Sequence, residues 1–506
     1  MTAINHTHRP QDASSLPVPI RTPRGFLLLL FCWFAGQALL RALISPTANL
    51  DEAEQLMLTQ DWALGYGPQP PLYTWLQAAF FTVGGVSITS LALLKNALLF
   101  GTYSLAYLNA RLITGRHEAG VVAALSLFFI PQIAWESQRD LTHSVLAALL
   151  SLATLYAFLK ASSGGWRNYL LLGCVLGLGT ISKYNYAIWA AGILMAAVSI
   201  ERFRKTVFNR GMLLALTLAS VLVAPHGLWA FRNPDKITAT SSKFVISSDE
   251  PGDSHPPPIA TFAARRLKGI EEAAWAVARF AAPLVAVHAL VLLVPWRRRS
   301  APEAAPTPRP IEGVLIGRAL LAIALLVLAG ILILGPTNFK DRWFQPILVC
   351  APVLLAVWPL KAWDAASLRW LWRLTVLVMA AIALVIPGRV LLAGKLGKIE
   401  RLNFPLPELG RTLNTRIPPG VVILADTSFL AGNMRLAMPD RRVISRAWGD
   451  PDGQPCCIVW AARKSPNPPP ALEKAANDLL QSGQTVLLKG SVRNHPPLHY
   501  ALGAAW

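Results

Sequence analysis

Apolar runs of about twenty residues, long enough for an α-helix to cross the ~30 Å hydrocarbon core of a bilayer, recur along this chain. Inside lipid every backbone N–H and C=O has to find its partner within the segment, so such runs are read as helices and not as strands or loops. They fall at 25–44, 88–108, 119–134, 141–159, 169–181, 186–200, 211–231, 273–294, 313–334, 343–360 and 370–387. The pattern predicts an all-α polytopic membrane protein with about eleven transmembrane helices, two of them marginally short. Only 15% of the 506 residues are charged, against about 25% in an ordinary soluble domain, which fits a bilayer solvent.

The net charge of +20 invites a nucleic-acid reading that its distribution excludes. No Lys/Arg block with interleaved aromatics is present, and the 17 Trp lie mostly in or beside apolar runs, as interfacial anchors do. Basic residues gather instead in alternate connectors, such as Arg202, Arg204, Lys205 and Arg210, while the first connector has none between Ala42 and Leu94. By the positive-inside rule the N-terminus is cytoplasmic, and an odd number of spans places the tail on the far side.

Three parts follow: a polar cytoplasmic segment (1–24) read as retained, a transmembrane domain (25–387) and a small C-terminal α/β domain (388–506). The tail has short apolar runs at 421–424, 457–460 and 485–488 and an amphipathic stretch at 471–481. Residues 300–310 are Pro/Ala-rich and read as a flexible cytoplasmic connector. The five cysteines form no metal or disulfide framework, and Cys32, Cys174 and Cys350, inside apolar runs, are expected to be buried.

Chemistry-bearing residues collect in the far-side connectors. The first carries Asp51, Glu52, Glu54 and Asp61 with no cation, followed by an aromatic, Pro-rich stretch containing Gln69 and Pro70. It reads either as a carboxylate held at the membrane surface or as a solvated acidic loop that obeys the topological charge bias. A second connector, Trp135-Glu136-Ser137-Gln138-Arg139-Asp140, is short enough to hold its carboxylates at the mouth of the bundle, unless Arg139 simply pairs with Glu136 or Asp140 at a helix end. Lys183-Tyr184, His226 and Lys340-Asp341-Arg342 also fall on the far side. Cations there oppose the topological bias and point to an anionic ligand; the alternatives are snorkelling for Lys340 and Arg342 and a structural role for His226.

Nucleotide-activated substrates are not supplied on that side, so a group-transfer enzyme working there needs a donor delivered in the membrane. A lipid phosphate fits interfacial cations. The chain has no Gly-rich phosphate loop, no His-Glu-x-x-His and no Gly-x-Ser-x-Gly, so nucleotide-dependent, zincin and serine-hydrolase chemistries lack their residues.

Asp51-Glu52-Ala53, Gly65-Tyr66, Pro70-Pro71-Leu72 and Trp75-Leu76, with Asp140, Ser182-Lys183-Tyr184, Pro225-His226-Gly227 and Lys340-Asp341-Arg342-Trp343, occur in an order that resembles glycosyltransferase family 39. These are polyprenyl-phosphate-sugar-dependent transferases related to dolichyl-phosphate-mannose protein mannosyltransferases and to the aminoarabinose transferases of lipid A. The resemblance covers roughly 25–360. It implies a GT-C fold with interfacial helices in the first far-side loop and a periplasmic C-terminal domain, in the bacterial inner membrane. It implies that Asp51 is the catalytic carboxylate, with Glu52 beside it and Asp140 a second acidic residue. Lys183, Tyr184, Lys340 and Arg342 would bind the donor phosphate, and Gln69, Pro70, Arg139 and His226 would line the substrate cavity.

Relatives that use a divalent ion carry an acidic residue near Gln69. Gln69 is a poor metal ligand, so metal dependence does not carry over and no cofactor is assigned. The expected reaction is an inverting sugar transfer from a polyprenyl phosphate to an envelope glycolipid or polysaccharide, with membrane lipids as surroundings and no nucleic-acid partner. The basic tail suits an anionic acceptor such as lipopolysaccharide or anionic headgroups equally well. The rival readings are a transporter or lipid flippase, which would place ionisable groups near the bilayer midplane, and a membrane-anchored binding protein that works through its tail.

Overall fold

The computed structural model describes residues 17–238, 262–296, 310–358, 363–449, 454–462, 467–469, 472, 484–495 and 498–506. The expected connector at 300–310 (but for Pro310), most of the polar segment at 1–24 and the amphipathic stretch at 471–481 (but for Leu472) lie outside the described residues.

Among the described residues, seven helices are long and apolar enough to cross a membrane. They are α1 (Pro23–Ile44), α4 (Ile88–Thr114), α6 (His143–Ala161), α9 (Arg210–Arg232), α10 (Phe262–Trp296), α11 (Ile311–Leu334) and α12 (Ala365–Leu391). Between them lie α2 (Leu50–Leu58), α3 (Leu72–Gly84), α5 (His117–Ser126), α7 (Trp166–Thr180) and α8 (Tyr186–Val198). Local signals set the ends. Thr22 caps α1 by accepting the Gly25 N–H at 3.1 Å, and Pro23 supplies a first-turn residue with no N–H to satisfy. Ser87 caps α4, which stops at Gly115 in the left-handed conformation (φ +70°).

The expected count of eleven differs from the seven long helices in four places. Two expected spans are the short helices α7 and α8. The other two are broken. After α5 the chain passes through a 3₁₀ turn, Pro131 and a π-helical turn at Gln132–Glu136, bending by 76°. At 343–360 a 3₁₀ turn (Asp341–Phe344) leads into Gln345–Leu348 and Ala351–Val357, with Pro346 and Pro352 at their starts. Proline removes a ladder donor and a π-turn widens the helix, so both breaks have a chemical cause. Irregular backbone among membrane helices persists only where protein buries it or where it lines a cavity, and both breaks sit beside the carboxylates described below. Of the three cysteines expected to be buried, Cys350 is, Cys174 is partly so and Cys32 is exposed on α1, where lipid covers it.

α12 runs four residues past the expected end at 387. Beyond it, α13 (Leu406–Asn414) and α14 (Ser428–Ala437) pack with a five-stranded sheet, the small C-terminal α/β domain. The strands are β1 (Val422–Ala425), β2 (Val443–Ser445), β3 (Cys456–Ala461), β4 (Thr485–Ser491) and β5 (His499–Ala505), in the order β2-β1-β3-β5-β4. β2, β1 and β3 are parallel; β5 and β4 complete the sheet antiparallel. Every residue of the interior strand β1 is buried, as expected for a strand covered on both faces.

Candidate active site

The first connector after α1 is a folded unit. Arg41, in the last turn of α1, donates to the carbonyls of Ser45 and Thr47 at 2.9 Å each and to both oxygens of Glu52. Glu52 also accepts the Asn49 N–H at 3.0 Å, closing the first turn of α2, and Lys95 Nζ from α4 at 3.1 Å. The Glu52 side chain is 0% exposed and that of Lys95 2%. Burial alone would raise the Glu52 carboxyl, but Arg41 and Lys95 outweigh it and hold it well below the usual range. Glu52 is thus a permanent anion that ties α1, α2 and α4 together.

Asp51 is the opposite case. It is partly buried, and among the described residues its carboxylate has no hydrogen bond and no ion pair. Its own N–H donates to Asp140 Oδ1 at 3.0 Å, which brings the second connector onto the first turn of α2. Asn49 adds a bond to the Arg139 carbonyl at 3.3 Å. Burial raises Asp51, opposed by the charges of Arg342, Lys95 and Lys183. Burial and then the negative Asp51 and Glu52 push Asp140 up to about 8, with Lys95 its one opposing cation. More cations act on Asp51, so the first proton lost from the pair is its own.

The 340s break delivers one cation to this centre, Arg342, and the turn between α7 and α8 delivers another, Lys183. Asp341 accepts from Gln132 Nε2 at 2.8 Å and from the Arg342 N–H at 2.8 Å, Gln345 donates to the Gln132 carbonyl, and Asn185 donates to the Trp343 carbonyl at 2.5 Å. These bonds lock the 340s segment and leave the Arg342 guanidinium without a hydrogen bond of its own among the described residues. Lys183 donates to Ser144 Oγ at 2.5 Å; burial and the neighbouring Arg342 push its amine down to about 8 despite Asp51. A carboxylate able to take a proton therefore stands beside two cations able to hold a phosphate.

Comparison with known proteins adds to this geometry. The family model for dolichyl-phosphate-mannose-protein mannosyltransferase matches residues 68–229. The lipopolysaccharide core galacturonosyltransferase RgtB of Rhizobium johnstonii is 34% identical over 86% of this chain and 87% of its own length. RgtA of the same organism is 31% identical over 96% and 98%. The chain belongs to glycosyltransferase family 39. ArnT of Cupriavidus metallidurans, solved with undecaprenyl phosphate, superposes with a TM-score of 0.59 over 95% of this chain and 98% of its own, at 12% identity; that likeness shows the GT-C fold. The protein is a membrane glycosyltransferase, and the transporter and binding-protein readings fall away.

Within this family 39 chain, Asp51, Glu52, Asp140, Lys183 and Arg342 come together. Lys340 flanks Arg342 at the start of the same 3₁₀ turn. Arg139 pairs with Glu136 at 3.6 Å, the helix-end pairing that its connector allows. Gln69 meets Tyr66 in an isolated backbone bridge, and Pro70 is buried beside it. His226 is fully engaged: one ring nitrogen bonds the Leu64 carbonyl at 2.7 Å, the other the Tyr184 hydroxyl at 3.2 Å, and its ring stacks on Tyr184 and Trp229. His226 therefore fastens the first connector and Tyr184 to α9, and has no ring nitrogen left for substrate.

Arg41, Lys95 and Tyr73 were not singled out from the sequence. A cation inside an apolar run, as Lys95 is, marks a functional site by default, and that signal was available. The Tyr73 hydroxyl is buried with no partner among the described residues. The residues present do not fit a divalent ion: Glu52 is saturated by Arg41 and Lys95, Gln69 brings no carboxylate, and no group of three His, Cys, Asp or Glu side chains among the described residues is placed to hold one. No step below runs through a metal.

Proposed function

We propose that this glycosyltransferase moves a uronic acid from a polyprenyl phosphate to a hydroxyl of the lipopolysaccharide core, on the periplasmic face of the bacterial inner membrane. The relatives named for galacturonosyl transfer to that core support the sugar and acceptor, and the ArnT fold solved with undecaprenyl phosphate supports the carrier.

Asp51 takes the proton of the acceptor hydroxyl as that oxygen bonds to the anomeric carbon. The bond from the anomeric carbon to the phosphate oxygen breaks on the opposite face, so configuration inverts, and the pair of electrons leaves with the polyprenyl phosphate. Lys183 and Arg342 stabilise the charge growing on that phosphate. The observation that carries this reading is the Asp51 carboxylate, which has no hydrogen bond or ion pair among the described residues while its neighbour Glu52 is saturated.

The test is transfer in proteoliposomes from polyprenyl-phosphate galacturonic acid to purified core lipopolysaccharide, read by mass spectrometry as a gain of one hexuronic acid. Asp51→Asn should cut turnover by about 10²–10⁴-fold, the usual contribution of a general base, while inserting normally in the membrane. Full activity of D51N overturns the role of Asp51; exclusive use of a neutral hexose donor overturns the uronic acid.

A further inference from the structure

Outside the Asp51 centre, a second concave surface lies at the turn that follows α12. A groove of about 460 Å³ is lined there by Arg389, Ala393, Leu396, Lys398, Ile399 and Glu400. It shares Arg389 and Glu400 with a second hollow of only about 20 Å³, bounded by Arg41, Asn49, Trp135, Arg139 and Leu402. Asn49 opens the turn that carries Asp51, and Arg139 precedes Asp140, so this end of the groove adjoins the two segments that carry the carboxylate pair. Lys183 and Arg342, which act on Asp51, belong to other segments and do not line either cavity.

The outer end has the chemistry of a lipid with an anionic head. Leu391, Leu392, Leu396 and Ile399 are 54%, 45%, 59% and 51% exposed, directly beyond a membrane helix. Between them stand Lys395 and Lys398, exposed, with no ion pair or side-chain hydrogen bond among the described residues. Arg389 is partly neutralised by Glu400 at 3.6 Å, and Arg139 by Glu136 at the same distance. The turn is held in shape: Asn403 and Asn494 donate to the Val390 carbonyl at 2.7 and 3.3 Å, and a Cβ at Gly394 would overlap the Asn494 backbone.

We propose that this groove is the entry and holding site of the acceptor glycolipid, with its anionic head on Lys395 and Lys398, its acyl chains along the exposed leucines, and its sugar chain extending over the segments of Asn49 and Arg139 towards Asp51. The proposal rests on the transferase reading above and adds to it a side of approach: acceptor from the α12 turn, donor phosphate from the segments carrying Lys183 and Arg342.

Two measurements test it. In proteoliposomes, Lys395→Glu with Lys398→Glu should raise the acceptor KM by about thirtyfold, since each basic side chain near an anionic surface contributes about 1 kcal/mol, with donor KM and kcat unchanged. An unchanged acceptor KM, or an equal rise in donor KM, overturns the groove. Independently of catalysis, a photo-crosslinker at position 396 should label phosphorylated core lipopolysaccharide in preference to phosphatidylglycerol at matched charge. Equal labelling of both overturns the proposal and leaves a surface for bulk anionic lipid. Wild-type protein that transfers nothing to any glycolipid sinks the transferase reading instead, while the crosslink still reports on the groove.

Discussion

Burial moves Asp140 up and Lys183 down to about 8, so both should titrate together. Below that pH Asp140 is neutral and Lys183 is charged. Above it a second negative carboxylate stands beside Asp51 and the amine has lost its charge. Both changes disfavour a bound phosphate, so kcat/KM for the donor should fall as pH rises through 8, with a slope approaching two protons. In Asp140→Asn the amide oxygen can still accept the Asp51 N–H, and only Lys183 remains to titrate; the fall should become shallower, approaching one proton. A D140N profile superimposable on the wild type would remove Asp140 from the donor site. Asp51, Asp140, Lys183 and Arg342 were legible in the sequence because they sit in polar connectors, and two of them are cations that oppose the topological charge bias. The division of labour between Asp51 and Glu52 was not: adjacent carboxylates look alike until one is seen facing Arg41 and Lys95.

At the scale of elements, Glu52 is the tie between three helices. Breaking a buried ion pair by removing one partner costs about 3–5 kcal/mol, because the remaining charge stays buried. Lys95→Met should therefore lower the thermal midpoint in detergent, towards the smaller end of that range since Arg41 still neutralises Glu52. Adding Glu52→Gln to K95M should not recover it, because Arg41 would then be the unmatched charge. An unchanged midpoint in K95M would mean that water reaches the pair. The apolar runs gave the long helices directly, since composition over about twenty residues decides whether a segment can cross. They did not give the two broken spans. A hydropathy window registers how apolar 119–134 and 343–360 are, whereas Pro131, Pro346 and Pro352 and the bonds from Gln132 and Gln345 decide where the backbone turns. Those breaks carry the donor-side cation Arg342 into place, so the element-level miss and the site are the same feature.

Across the whole molecule, the C-terminal domain is locked onto the first connector. Asn433 of α14 accepts the Ala48 N–H at 2.9 Å and donates to the Ala48 carbonyl at 3.2 Å, Arg442 grips Asp61 through two bonds of 2.9 and 3.0 Å, and Arg493 donates to Ser45 Oγ at 3.0 Å. α14 lies so close to α2 that a Cβ at Gly432 would overlap the Ala53 carbonyl. Gly432→Val should therefore lower stability by about 1–3 kcal/mol, the usual cost of overpacking, and reduce kcat by shifting α2. Gly36→Ala, where a Cβ meets open space, should leave both unchanged; equal behaviour of the two variants would show that the domains are not mechanically linked. The α/β texture of the tail could be read from its short apolar runs, but contacts between residues about 385 positions apart leave no periodic trace in a single sequence.

That two-way bond between Asn433 and Ala48 has a consequence for chain swaps among paralogues. A tail taken from a relative brings its own α14 surface, while the recipient keeps its own residues at 45–61, and the two were fitted to different partners. Hybrids joined after α12 alone should be inserted yet idle, whereas hybrids that exchange 45–61 along with the tail should work.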